Sequence, residues 1–199
     1  MIKIGLTGNI ASGKSFVEDI FKSENIPCLD SDKITHDLLE NNFEVIEKIK
    51  KVFLKDGFDI LDKNKKISRN KLGAVVFNDK EKLKVLESVL HPVIKDRING
   101  FFENNSTEKI AVAVVPLIFE ANMTDMFDKI VLVAVDKDIQ LKRLMERNNF
   151  TKEEALLRIN SQISQDEKIK KVDFVIWNND SEEKLVTRTR ELIKNLING

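Results

Sequence analysis

The chain has 199 residues, with 33 Lys+Arg against 33 Asp+Glu, two His, one Cys and 12 Phe. That length suits one domain with an insertion and buries a core without disulfide or metal support. The zero formal net charge argues against tracking along nucleic acid or an anionic membrane surface, and Cys28, having no partner for an internal bridge, points to a reducing compartment. The longest apolar run, Ala111 to Phe119, is far short of the roughly 20 residues of a membrane span and contains Pro116. The opening Met-Ile-Lys-Ile-Gly-Leu-Thr-Gly has no secretory-signal pattern, so the reading is a soluble, cytoplasmic protein.

Five short β-rich runs are predicted as strands: Ile2–Leu6, Ile26–Leu29, Ile110–Val115, Ile130–Val135 and Phe174–Trp177. They alternate with amphipathic stretches, the pattern of an α/β fold with a parallel sheet and crossover helices. The third and fourth runs are almost wholly aliphatic, which predicts that they form the sheet centre. Between the second and third, apolar residues follow helical spacing: Phe43, Ile46, Ile49 and Phe53, then Leu83, Leu86, Leu90 and Ile94. A helical insertion is expected there, divided by Asp56-Gly57, by Asp62–Lys66 and by a kink or restart at Pro92, with its exit at Asn104-Asn105-Ser106. Asp136 precedes a predicted helix, Thr151-Lys152-Glu153-Glu154 has the form of a capping box, and Ser164 to Glu167 repeats it. A last helix from about Ser181 carries Leu185, Leu192, Ile193, Leu196 and Ile197 on one side.

The first strand leads into Gly8-Asn9-Ile10-Ala11-Ser12-Gly13-Lys14-Ser15, which fits G-x-x-x-x-G-K-[ST] and opens a predicted helix, Ser15–Glu24. Glycines let backbone N–H groups turn inward around phosphate oxygens, and the helix start adds positive dipole. Lys14 is placed to reach the β- and γ-phosphates of a nucleotide, and the Ser15 hydroxyl to bind Mg²⁺. A plain strand-to-helix turn would explain neither residue.

A phosphate loop serves switch GTPases, motor ATPases and small-molecule kinases alike. The third strand here runs into Pro116-Leu117-Ile118-Phe119-Glu120 with no terminal Asp for Mg²⁺, and no Asn-Lys-x-Asp run reads guanine, which weakens the first two. Asp30-Ser31-Asp32 follows the second strand and faces the loop if those strands are neighbours. Its carboxylates suit an attacking hydroxyl's proton or Mg²⁺, and equally a helix N-cap for Lys33–Leu39. Arg143 and Arg147, four apart, share a helix face and with Arg158 suit either a cationic lid or an ordinary solvated surface. His91 before Pro92 suits a cap, a buried hydrogen bond or a substrate contact. The two His and one Cys form no metal-binding cluster, and the Phe residues and Trp177 read as core.

Gly5-Leu6-Thr7-Gly8 into Gly13-Lys14-Ser15, Asp30-x-Asp32, Leu90-His91-Pro92, Pro116 to Glu120, Gln140 to Leu144 with Arg147, the Gln162 region with Glu167-Lys168, and Asp173 to Asn178 together resemble the dephospho-CoA kinase family. The resemblance implies a three-layer P-loop NTPase fold: a five-stranded parallel sheet with a helical substrate-binding insertion and a helical lid at about 140–165. It divides the chain into a nucleotide-binding core, 1–35 and 107–199, and an acceptor-binding insertion, 36–106. It implies Mg²⁺-dependent transfer from ATP to the ribose 3′-hydroxyl of dephospho-CoA, the last step of coenzyme A synthesis. Lys14, Asp32 and Arg143 would be catalytic, with Asp32 the carboxylate at the acceptor. Gly8, Ala11, Ser12, Gly13, Lys14, Ser15, Phe16, Arg147 and Asn178 would hold ATP. Arg69, His91, Pro92, Phe119 and Glu120 would lie at the acceptor pocket. Asn9 and Ala11 stand where the family commonly has Gly, and Phe16 where Thr is usual. Nothing in the sequence sets an oligomeric state.

Overall fold

The structure is a computed structural model and describes residues 1–198. Its sheet has five parallel strands, β1 (Ile2–Gly8), β2 (Cys28–Asp30), β3 (Ile110–Val114), β4 (Lys129–Ala134) and β5 (Phe174–Trp177), in the order β2-β3-β1-β4-β5. Helices cover both sides. The centre is therefore β1, flanked by the two aliphatic strands that were expected to occupy it. β2 pairs with β3 and not with β1, so the condition for Asp30 to stand directly beside the loop fails.

Pleat alternation sorts the two faces. Ile4 and Leu6 of β1, Val112 and Val114 of β3, and Val131 and Val133 of β4 share a core with α1 (Lys14–Ser23) and the last helix, Glu182–Asn198, which contributes Leu185, Leu192, Ile193 and Leu196. The opposite face is thin, with Gly5, Ala111 and Ala113 leaving room for Ile118, Phe127 and Phe102. A Cβ on Gly5 would lie 2.7 Å from Ile118 Cδ1 and 2.9 Å from Phe127 Cγ. This glycine therefore lets the turn after β3 press flat against β1, and it fixes Pro116–Glu120 beside the end of the central strand. Alternation also corrects the reading of Trp177 as core: Ile176 is buried at 3% and its edge-strand neighbour is 39% exposed. Phe43 and Phe77, at helix ends, are likewise exposed.

The described residues form two compact units, 1–30 with 99–198, and 31–98. In the second, α2 (Ser31–Asn41), α3 (Phe43–Lys55) and α4 (Arg69–Val76) precede α5 (Lys80–Asn104). Asn42 and Ser68 cap α3 and α4, and Asp62 Oδ1 closes the intervening turn by accepting from the Asn64 and Lys66 N–H groups. The restart at Pro92 does not occur, because α5 is one 25-residue helix. Pro92 removes the bond to the Ser88 carbonyl, but both residues are exposed, so water replaces the lost donor while Leu86, Leu90, Ile94 and Ile98 keep a continuous buried stripe.

Remaining elements lie in the first unit: a 3₁₀ turn at Thr124–Met126, α6 (Lys137–Asn148), α7 (Lys152–Asn160), α8 (Gln165–Ile169) and α9 (Glu182–Asn198). The capping box at Thr151 and Glu154 is formed in full, and Asn149, in the left-handed region, ends α6 so that α7 can fold back against it.

Gly5→Ala is expected to cost about 1–3 kcal/mol by overpacking. Adding Ile118→Val, which removes the nearest clashing methyl, should recover part of that in urea denaturation. No recovery would mean that the turn does not rest on Gly5.

Candidate active site

The carboxyl ends of the strands carry the polar residues of the first unit. Gly8 ends β1, Pro116 follows β3, Asp136 follows β4 and Asn178 follows β5, all along one edge. This is where open α/β sheets bind ligands.

The loop from Gly8 to Ser15 is shaped by two residues with positive φ, Ala11 at 61° and Gly13 at 90°. Gly13 is the N-cap residue of α1, no side chain caps that helix, and its first turn holds no acidic residue. Its positive end is thus left for an anion. A Cβ on Gly13 would lie 2.1 Å from Asn178 Nδ2, which donates to the Ser12 carbonyl at 2.8 Å. Gly13 is required twice, by its φ and by this close approach. Lys14 and Phe16 are half-buried and Ser15 is exposed in the first turn of α1. Two buried polar atoms of the loop, Asn9 Oδ1 and Ser12 Oγ, have no partner.

Thr7 Oγ1 donates to the Pro116 carbonyl at 3.1 Å, joining β1 to the turn after β3. Asn9 Nδ2 donates to the Ile163 carbonyl at 3.0 Å and so ties the loop to the segment after α7. Glu120 Oε1 accepts from the Ile163 N–H at 3.1 Å and lies 3.0 Å from the fully buried Lys168 Nζ, an ion-pair distance without hydrogen-bond geometry. Glu120 Oε2 is buried without a partner. Gln165 makes two bonds to the Val135 backbone, anchoring α8 to β4.

Arg143 and Arg147 lie on α6 and Arg158 on α7. Arg143 Nη1 is buried and unpartnered, whereas Arg147 is exposed and bonds its neighbour Asn148 at 3.0 Å. Asn178, matched by the resemblance to ATP binding, is buried at 7% with its amide nitrogen on the loop. Asp32 is exposed in the first turn of α2, which begins at Ser31, so it is a helical residue and not a cap for Lys33.

Within the second unit a cavity of about 740 Å³ opens between α2, the Asp62–Ser68 turn, α4 and the start of α5. Leu39, Leu72, Val76 and Leu86 give it apolar walls, and His36, Glu40, Asp62, Lys66 and Arg69 bring polar groups and charges of both signs. Arg69 is thus the residue of the implied acceptor set that lines this cavity. His91 and Pro92 stand midway along α5, and Phe119 and Glu120 belong to the first unit. Burial holds the His91 pKa below its ordinary value, with Lys95 adding to the effect and Glu87 opposing it, so the ring is neutral at pH 7. Burial pushes the Cys28 thiol up to about 12, which leaves it inert as a nucleophile.

Gln140 and Lys168 are polar residues turned inward, Gln140 3% exposed and Lys168 fully buried, and the sequence carries no signal for either orientation.

Ala11→Gly is expected to stabilise the fold by about 0.5–1 kcal/mol, the relief of a left-handed L-residue less the added chain entropy of glycine. A urea midpoint that falls would contradict the loop conformation described above.

The family model for dephospho-CoA kinase matches residues 2–184. A dephospho-CoA kinase of Listeria innocua is 42% identical over 200 residues, covering 98% of both chains, and one of Bacillus cereus is 41% identical over 181 residues, covering 90% and 88%. Among solved structures, a Thermus thermophilus protein superposes with a TM-score of 0.84 at 30% identity over 100% of this chain and 98% of its own. The dephospho-CoA kinase of Campylobacter jejuni gives 0.72 at 36% identity over 98% and 96%. Shikimate kinase from Acinetobacter baumannii, at 0.54 and 16% identity, shares the fold alone. The chain is a kinase and belongs to the dephospho-CoA kinase family.

Proposed function

We propose that this chain transfers the γ-phosphoryl group of ATP to the ribose 3′-hydroxyl of dephospho-CoA, giving coenzyme A and ADP. The observation that carries the reading is the uncapped start of α1 behind a loop turned by Gly13, with Lys14 and Ser15 in its first turn, in a chain of this family. The proposal makes ATP and dephospho-CoA the partners of the site and a reducing, cytoplasmic compartment its setting; no helix of the described residues is long and apolar enough to cross a membrane.

The residues fit Mg²⁺. Ser15 offers a hard hydroxyl oxygen, and the described residues contain no cluster of three or more His, Cys, Asp or Glu that could cage a metal. That donor set suits an ion that takes most of its ligands from nucleotide phosphates and water. When bound, it would neutralise charge on the β- and γ-phosphates.

The loop N–H groups and Lys14 would hold the phosphates, and the α1 dipole would favour their charge. In the reaction the acceptor O3′ forms a bond to the γ-phosphorus as the bond to the β,γ-bridging oxygen breaks, and ADP leaves with that electron pair. In this reading Asp32 takes the hydroxyl proton. Arg143, whose buried Nη1 has no partner, would meet the transferring oxygens, with Arg147 more exposed on the same helix. Asn178 would act on the nucleotide through Ser12, by holding the loop. The second unit would receive the acceptor, with Leu39, Leu72, Val76 and Leu86 of its cavity against the pantetheine arm and Arg69 on a phosphate.

Asp32→Asn is expected to lower kcat about 100-fold or more with ATP affinity changed less than about twofold, as loss of a positioned base would. Steady-state ADP release with dephospho-CoA as acceptor, beside calorimetric ATP binding, measures both. Near-normal turnover would remove Asp32 from catalysis, and ADP release at the same rate without acceptor would overturn the function.

A further inference from the structure

Ile10, inside the phosphate loop, has both backbone groups taken by side chains. Its N–H donates to Gln162 Oε1 at 2.9 Å, and its carbonyl accepts from Gln140 Nε2 at 2.8 Å. Gln140 lies in the first turn of α6, and Gln162 stands two residues past the end of α7. The two ends of the α6–α7 hairpin therefore converge on one residue of the loop. Asn9, next to Ile10, adds a third tie to the same segment through the Ile163 carbonyl, and Glu120 braces Ile163 from behind.

The hairpin carries the arginines. Arg143 is three residues beyond Gln140, one turn along the same face, and its Nη1 is buried without a partner. A phosphate among the loop N–H groups would act on the peptide units around Ile10, and these two bonds would carry a displacement of Ile10 to both ends of the hairpin. Coupling of this kind is reciprocal: whatever sets the hairpin also sets the loop. The two bonds have opposite polarity, because a backbone carbonyl requires a donor at position 140 and a backbone N–H requires an acceptor at position 162.

We propose that Gln140 and Gln162 are positioning residues that couple phosphate occupancy of the loop to the setting of the arginine-bearing α6–α7 hairpin, through the two backbone groups of Ile10. This rests on the loop being the nucleotide site, as proposed above.

Hydrogen exchange of the full chain with and without ADP tests it. In the unsubstituted protein ADP should slow exchange both across 8–20 and across 141–160, the latter by about tenfold. In the double variant Gln140→Met/Gln162→Met, ADP should still protect 8–20 while the slowing across 141–160 falls below about twofold. Gln162→Glu, whose carboxylate still accepts from Ile10, should keep the hairpin response that Gln162→Met weakens, a difference that mere loss of packing would not produce. Full hairpin protection in a folded double variant overturns the proposal. If the double variant does not fold, equal responses of Gln162→Glu and Gln162→Met overturn it. Absence of ADP protection at 8–20 in the unsubstituted protein defeats the nucleotide reading itself, and this coupling with it.

Discussion

A helix that starts without a side-chain cap leaves its first N–H groups for something outside the helix to satisfy. In this chain α1 starts that way, after the central strand and the loop from Gly8 to Gly13, and no side chain caps that end. Gly13 supplies the φ of 90° that turns the loop into the helix, and Asn178 fills the space where a Cβ would sit. A larger residue at 13 would push Asn178 off the Ser12 carbonyl.

The sheet supports this from beneath. β1 is paired on both sides, by β3 and β4, so the residue from which the loop departs has no freedom along the strand direction. The loop is held by side chains reaching from α6, from the segment after α7 and from just past the end of β5, and by its own Asn9 side chain on the Ile163 carbonyl. Such bonds between side chain and buried backbone are directional and costly to break without replacement. The loop is thereby preorganised, which is what electrostatic stabilisation of a transferring phosphoryl group requires.

Much of this was legible in the sequence because it is local. The phosphate loop announces itself by spacing, the five strands by short apolar runs, and the Thr151 capping box by residue type. Strand order was not legible: nothing in Cys28–Asp30 says that it pairs with β3 and leaves β1 one strand away. Pro92 looked like a break because the sequence does not reveal that Ser88 faces solvent, where a lost hydrogen bond is replaced by water. Trp177 looked like core because its edge position depends on the whole sheet. The clamp on Ile10 is the extreme case, since its partners are 130 and 152 residues away in the chain and a glutamine's inward orientation has no signature of its own.

The proposed reaction asks three things of the molecule: anion-binding backbone at the sheet edge, cations on the hairpin tied to it, and a helical unit that receives the acceptor. What it fixes most sharply is where the phosphate goes. Proton–phosphorus correlation spectroscopy of the product formed from ATP, Mg²⁺ and dephospho-CoA reads this directly. The account predicts one new phosphorus signal correlated with the ribose H3′; a new phosphate on any other hydroxyl, or ADP accumulating with the acceptor unchanged, would contradict it.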